Sequence, residues 1–350
     1  MSTNPYRELP ARAFWRPAVA EPDPRSIAEV WTPKFALDAD EPILTAGSCF
    51  AARIGPALLD FGMNWFDAEP APPGLSADQR RARHYGEFSF RTGNIYTAIV
   101  LKQWISWAVG ASPVPADAWE HEGRFFDPYR PSVEPEGYAS AAEMLEDRDQ
   151  TLAAIRRGIA GAGCLFFTLG LTESWGDRAT ETVYPACPGT VRGEFDPERH
   201  VFRNHAFEEV RRDLLEALTL ARTANPGLRL LLTVSPVPLT ATASGQHVLT
   251  ANSYSKSLLR AVAGQLAQEH ADVDYFPSYE LITGAPFRSR FYTDNLREVT
   301  PEGVDFVMGH FRSAHIGHAA PAQADPVCQA TLTRGGDVCD DAVLDYYAPR

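Results

Sequence analysis

PILTAGSCFAARIGPALLDFG, residues 42–62, is the stretch on which the fold turns. Its first six residues, PILTAG at 42–47, form a short apolar run with the pattern of a buried strand. Residues 51–61 then carry Ile54, Leu58, Leu59 and Phe61 at helical spacing. Gly62 supplies a stop for that helix, and Pro56 is expected to kink it. At the junction stand a glycine and a hydroxyl, Gly47 and Ser48.

Working outward, the same alternation recurs. Residues 95–109 read as a helix carrying Ile99, Gln103, Trp104 and Trp107, and residues 139–159 as another. The second leads into CLFFTLG at 164–170, a continuous apolar run of the kind found in central parallel strands. A helix over 207–221, a strand over 228–238 (LRLLLTVSPVP), a helix over 254–267 and a weaker strand over 273–279 (VDYFPSY) follow. The last helix is predicted to start at Thr300 as N-cap, with Pro301 at its first position and Val304, Phe306 and Val307 after it. Short strands alternating with longer helices predict an α/β fold with a central parallel sheet between two helical layers, because each parallel pair needs a crossover. No internal repeat interrupts this pattern.

Five prolines (Pro10, Pro17, Pro22, Pro24 and Pro33) among polar residues mark 1–40 as an arm lying over the fold. The domain proper is expected over 41–313, with 314–350 as a C-terminal tail and 110–138 as a loop decoration.

Composition narrows the function. The chain has 350 residues, 45% hydrophobic and 22% charged, with 32 Lys and Arg against 45 Asp and Glu, a net charge of −13. That balance argues against a nucleic-acid or anionic-membrane partner. No apolar run reaches the length of a signal peptide's core or a membrane span, so the cytoplasm is the expected address. Five scattered cysteines suit neither a disulfide scaffold nor a Cys-x-x-Cys zinc site. His310, His315, His318, Cys328 and Cys339 match no dense ligand pattern, and neither metal nor cofactor is expected. The oligomeric state is not legible.

Ligands of open parallel sheets bind beyond the carboxyl ends of the strands. The first such loop holds Ser48, where a hydroxyl and helix-start amides face one point, the arrangement of an acyl-transfer nucleophile. As a plain N-cap, the same serine would have no chemistry.

The string Gly47-Ser48-Cys49-Phe50-Ala51 resembles the signature of the GSCFA family, itself similar to SGNH (GDSL-like) hydrolases. FRTGNIYT at 90–97, TLGLTESW at 168–175, YPACPG at 184–189, SPVPLTAT at 235–242, NSYSKSLLR at 252–260 and FPSYE at 276–280 resemble the same family in order. The resemblance implies a three-layer α/β/α fold of flavodoxin-like topology. It implies Ser48 as nucleophile, its own N–H as one oxyanion donor, and Gly93 as another, helped by Asn94.

Two blocks depart from the hydrolase pattern. Where Gly-x-Asn-Asp is normal, the chain has Gly170-Leu171-Thr172-Glu173, leaving Thr172 as a hydroxyl donor and Glu173 as a contact to substrate. Where Asp-x-x-His is normal, it has Asp294-Asn295-Leu296-Arg297, or, one residue on, a register ending at Glu298. Arginine cannot act as a base, so Glu298 or Asp294 is expected to take that role, with His205 and His310 as more distant substitutes and Cys49 as a neighbouring thiol. Arg297 and Arg290, near Arg288, suit an anionic group on the substrate. The expected function is hydrolysis or transfer of an acyl group on a small polar molecule or carbohydrate. The alternatives are a non-catalytic protein binding an anion or carbohydrate, and a coenzyme A-dependent acyltransferase.

Overall fold

In the computed structural model, which describes residues 4–315, the strands in chain order are β1 (Ile43–Gly47), β2 (Trp119–His121), β3 (Arg124–Phe126), β4 (Cys164–Leu169), β5 (Glu173–Asp177), β6 (Val183–Tyr184), β7 (His200–Asn204), β8 (Arg229–Val234) and β9 (Val273–Tyr275). The helices are α1 (Ile54–Asp60), α2 (Ala77–Ala82), α3 (Ala98–Ala108), α4 (Ala141–Gly161), α5 (Phe207–Ala224), α6 (Val248–Glu269), α7 (Ser278–Thr283) and α8 (Pro301–His315).

The central sheet is parallel throughout, in the order β1-β4-β8-β9. Residues on its strands alternate between two cores. Leu44, Ala46, Leu165, Phe167, Leu169, Leu230, Leu232 and Val234 pack with α3, α4, α5 and α6. Ile43, Cys164, Phe166 and Leu231 pack with α1, α7 and α8. Period-two alternation with both faces apolar gives a sheet between two helical layers, a three-layer α/β/α fold.

The outer side of β1 is not bare. Ile43 forms a parallel bridge with Trp65, its N–H donating to Asn64 at 2.8 Å and its carbonyl accepting from Phe66 at 2.9 Å. A strand reduced to one bridge thus occupies the place beyond β1. Counted with it, the spatial order is 2-1-3-4-5, and the chain reverses direction across the sheet between β1 and β4. This is the topological switch point, where the crevice of such a sheet lies.

The element boundaries differ from expectation in physically simple ways. The helix expected over 51–61 begins as a 3₁₀ turn, Cys49–Arg53, and becomes α-helical only at Ile54. Pro56 therefore lies in the first turn of α1, where its missing N–H costs no helical bond, and does not kink it. The strand expected over 228–238 stops at Val234, because Pro236 and Pro238 have no N–H to continue the ladder. The strand expected over 273–279 ends at Tyr275, and Ser278 opens α7. Thr300 caps α8 through its hydroxyl, which accepts from Gly303 N–H at 3.2 Å.

Two additions were not foreseen: the hairpin β2-β3, and a small antiparallel sheet in the order β6-β5-β7. Residues 4–41 carry only short 3₁₀ and π turns. They are tied down by Ile27 and Leu37, buried beside α1 and α8, and by Lys34, whose ammonium donates to the carbonyls of Val273 and His270. His318, Cys328, Cys339 and the rest of the tail past His315 lie outside the described residues.

Candidate functional site at the switch point

Ser48 follows β1 directly. Gly47 before it has φ +139°, and a Cβ there would lie 2.5 Å from the Thr168 carbonyl oxygen and 2.7 Å from its nitrogen. Only glycine lets β1 end this close to β4. Gly170, just past β4, has the same role from the other side, since a Cβ on it would stand 3.0 Å from Ser48 Cβ and 3.1 Å from the Tyr96 carbonyl oxygen. Two glycines from neighbouring strands thus clamp the serine at the crevice.

Ser48 is 2% exposed, and its Oγ has no hydrogen-bond partner among the described residues. Ser48 borders a hollow of about 10 Å³ lined also by Cys49, Tyr96, Gly170, Ser235 and Pro238, among others. A hollow of that size admits about one water molecule or one oxygen atom. None of Glu298, Asp294, His205 and His310 is hydrogen-bonded to Ser48 Oγ.

Several expected donors are engaged elsewhere. The Ser48 N–H donates to the Thr168 carbonyl at 3.1 Å, extending the β1–β4 ladder. The Thr172 hydroxyl donates to Asn204 Oδ1 at 2.7 Å. The amides of Gly170 and Leu171 both donate to the Tyr96 carbonyl at 2.9 Å. Gly93 and Asn94 are buried on the loop before α3, which is joined to the serine turn where Ile95 N–H meets the Gly47 carbonyl at 2.8 Å.

The loop between α7 and α8 supplies the remaining candidates. Asn295 Oδ1 accepts from the amides of Arg297 and Glu298 at 2.9 and 3.0 Å, folding the loop into a tight turn with Leu296 at φ +54°. Asp294 and Glu298 are exposed there. Arg297 turns inward, its Nε donating to the carbonyl of Pro238, a lining residue, at 3.2 Å. Arg290 is exposed, on the turn after Phe287 that also carries Arg288. Among the expected substrate-binding residues, therefore, Arg297 is hydrogen-bonded to a wall of the hollow.

Glu173 opens β5, half-buried, and accepts from the Thr242 hydroxyl at 2.6 Å. Burial raises its pKa above the ordinary carboxylate value, against the lowering effect of hydrogen bonds from Thr242 and Ala243. His205 has its Nε2 2.7 Å from Ser174 Oγ, within the small sheet, and burial lowers its pKa. His310 packs edge-on against Phe306 in α8 and is also lowered by burial. Cys49 is buried and unpaired, part of the α1 and α8 core as well as of the hollow's wall. Among the described residues, no group of three or more His, Cys, Asp or Glu side chains is placed to hold a metal.

Two residues of the site carry no role in the sequence reading. Lys256 on α6 is 1% exposed, with Nζ donating to the Gly170 carbonyl at 2.7 Å. A buried amine therefore holds the carbonyl of the glycine that clamps Ser48. Its signal was present in NSYSKSLLR: Lys256 falls in register with Leu259, Ala263 and Leu266 on the helix's buried stripe. Ser235, 1% exposed, is the other.

A family model described as the GSCFA family matches residues 42–311, and the chain belongs to that family. No curated protein and no solved structure matches it. Among the described residues, no helix is long and apolar enough to cross a membrane.

Proposed function

We propose that this GSCFA-family chain hydrolyses or transfers an acyl group through Ser48, in the manner of the SGNH (GDSL-like) serine enzymes, on an ester of a small polar molecule or carbohydrate. The observation that carries the reading is Ser48 itself, buried, its hydroxyl without a hydrogen-bond partner among the described residues, and bordering an oxygen-sized hollow at the switch point. Ser48 stands at the N-cap of the 3₁₀ turn yet makes no capping hydrogen bond through its side chain, so the hydroxyl is not spent on helix amides as that of a simple cap would be.

In this reading Ser48 Oγ attacks the acyl carbon, the ester C–O bond breaks, and the serine proton leaves with the alcohol. Water or an acceptor alcohol then takes the acyl group. Proton removal falls to a group that approaches once substrate is bound, as catalytic contacts often tighten only in the complex. Glu298 and Asp294, on the exposed loop whose Arg297 reaches Pro238, are the candidates for this role.

A fluorophosphonate probe tests the reading. Wild type is expected to take one label, mapped to Ser48, and Ser48→Ala to take none there. A folded wild type that stays unlabelled and inert toward esters, thioesters and acetylated sugars overturns it.

A second reading, a binding protein for anionic small molecules with a disused hydrolase crevice, is favoured by the lack, among the described residues, of a histidine hydrogen-bonded to Ser48 and by Arg297 at the wall. Calorimetric titration with phosphate and acetate against wild type and Arg297→Ala checks it; equal affinities would remove it.

A further inference from the structure

We infer that Ser235 supplies the side-chain hydrogen bond to the substrate's carbonyl oxygen, so that the developing oxyanion is held from the end of β8 and not from the end of β4. The inference rests on the reading of Ser48 as nucleophile and assigns the partner that this chemistry needs.

Its first support is where the hydrogens already go. The Ser48 N–H is spent on Thr168, the Thr172 hydroxyl on Asn204, and the Gly170 and Leu171 amides on Tyr96. A donor committed to a protein acceptor cannot be aimed at a developing charge without first breaking that bond. The two expected donors just past β1 and β4, the Ser48 N–H and the Thr172 hydroxyl, are committed in this way, as are the neighbouring amides of Gly170 and Leu171.

The second support is Ser235 itself. Its N–H donates to the Leu169 carbonyl at 2.8 Å, fixing it against the last residue of β4. One step on is Gly170, which abuts Ser48. Ser235 Oγ accepts from Val237 N–H at 3.3 Å, a local turn that orients the side chain. A hydroxyl has two lone pairs and one proton, and this contact uses only a lone pair. Ser235 lines the same hollow as Ser48. The proton is thus available at a place with room for one oxygen atom.

The geometry is pre-set, since both the backbone and the side chain of Ser235 are held before any substrate arrives. Pre-set donors give the greatest stabilisation, because nothing reorganises as charge develops. Loss of one such donor slows reaction by about 10²- to 10³-fold.

The experiment follows phosphonylation of Ser48 by the fluorophosphonate probe, whose P=O oxygen takes the place of the carbonyl oxygen. Intact-protein mass spectrometry over a range of probe concentrations separates the maximal rate from the half-saturating concentration. Ser235→Ala is expected to lower the maximal rate about 10²-fold, with half-saturation within about twofold if binding is untouched. Ser235→Thr, which keeps the hydroxyl, is expected to restore most of the rate, whereas a purely structural role would show as a lower melting temperature with no rescue specific to the hydroxyl. Ser235→Cys, close in size but a weak donor, provides the comparison if the alanine variant folds poorly. A wild-type rate in Ser235→Ala or Ser235→Cys overturns the role of Ser235 and leaves Ser48 standing. A folded wild type that takes no label overturns both.

Discussion

Gly170 and Gly47 do for Ser48 what no side chain could: they let two strand ends come within contact distance, which sets the serine beside the hollow. Gly170→Ala places a methyl 3.0 Å from Ser48 Cβ, so the serine must shift by a few tenths of an ångström. The expected result is a fall in Ser48 phosphonylation of about tenfold or more with a modest loss of melting temperature, because a small misplacement of a reacting atom is costly. An unchanged labelling rate would show that the clamp does not set the serine's position. Lys256 belongs to the same scale. Lys256→Met removes the hydrogen bond to the buried Gly170 carbonyl and is expected to cost about 1–3 kcal/mol in urea unfolding, with Lys256→Arg less damaging. Ser48 was legible because glycine plus hydroxyl at a strand–helix junction is a local pattern. Lys256 and Ser235 were not, because their meaning depends on Gly170 and Leu169, far from them in sequence and adjacent only in the sheet.

Elements were legible where they were long and apolar, as in β4, β8, α3 and α5, and obscure where polar contacts replace apolar ones. The small sheet β6-β5-β7 is built from strands such as ESWGD and HVFRN, whose charges and brevity hide any period. The segment 110–138, expected as a decoration, is instead anchored to α4 by buried charge. Asp127 is fully buried and accepts from Arg148 at 2.7 and 2.9 Å and from Arg130 at 2.7 Å. Arg148 also donates to the carbonyl of Pro115 at 2.6 Å, and Arg130 continues to Asp147 at 2.8 Å and Thr151 at 2.7 Å. Desolvation alone would raise the pKa of Asp127, but the two guanidiniums and their hydrogen bonds hold it below the ordinary value. Arg148→Met leaves that carboxylate with half its compensation, and a loss of about 3–5 kcal/mol is expected. Pairing it with Asp127→Leu should recover part of the loss, since both charges then leave the interior. Urea midpoints for the two single variants and the double variant measure the coupling, and strict additivity would show that the pair does not act as a unit.

At the scale of the whole molecule, residues 4–41, α8 and the sheet meet in one aromatic stack that ties stability to pH. Trp31 lies 5.0 Å from Phe276 and 5.8 Å from Phe311, ring centre to ring centre, and His315 packs on Trp31 at 5.1 Å and on Phe311 at 4.7 Å. Burial lowers the pKa of His315 to about 4, with the Arg229 cation adding to the effect. Burial likewise lowers His200, His205 and His310. The sign follows directly. Below the unfolded value of about 6.5 the unfolded chain takes up protons that the native histidines refuse, so stability complete above that pH falls as the solution is acidified toward the folded values. Glu69 and Glu173, whose pKa values burial raises, act in the opposite direction by binding protons first in the native state. His315→Phe separates the contributions, because it keeps the ring stack and removes the titration. The urea midpoint of wild type is expected to fall between pH 7.5 and pH 5, and that of His315→Phe to fall less. Parallel midpoints for the two proteins across that range would mean that the stack joining the N-terminal segment to α8 and the sheet is not a source of the acid sensitivity.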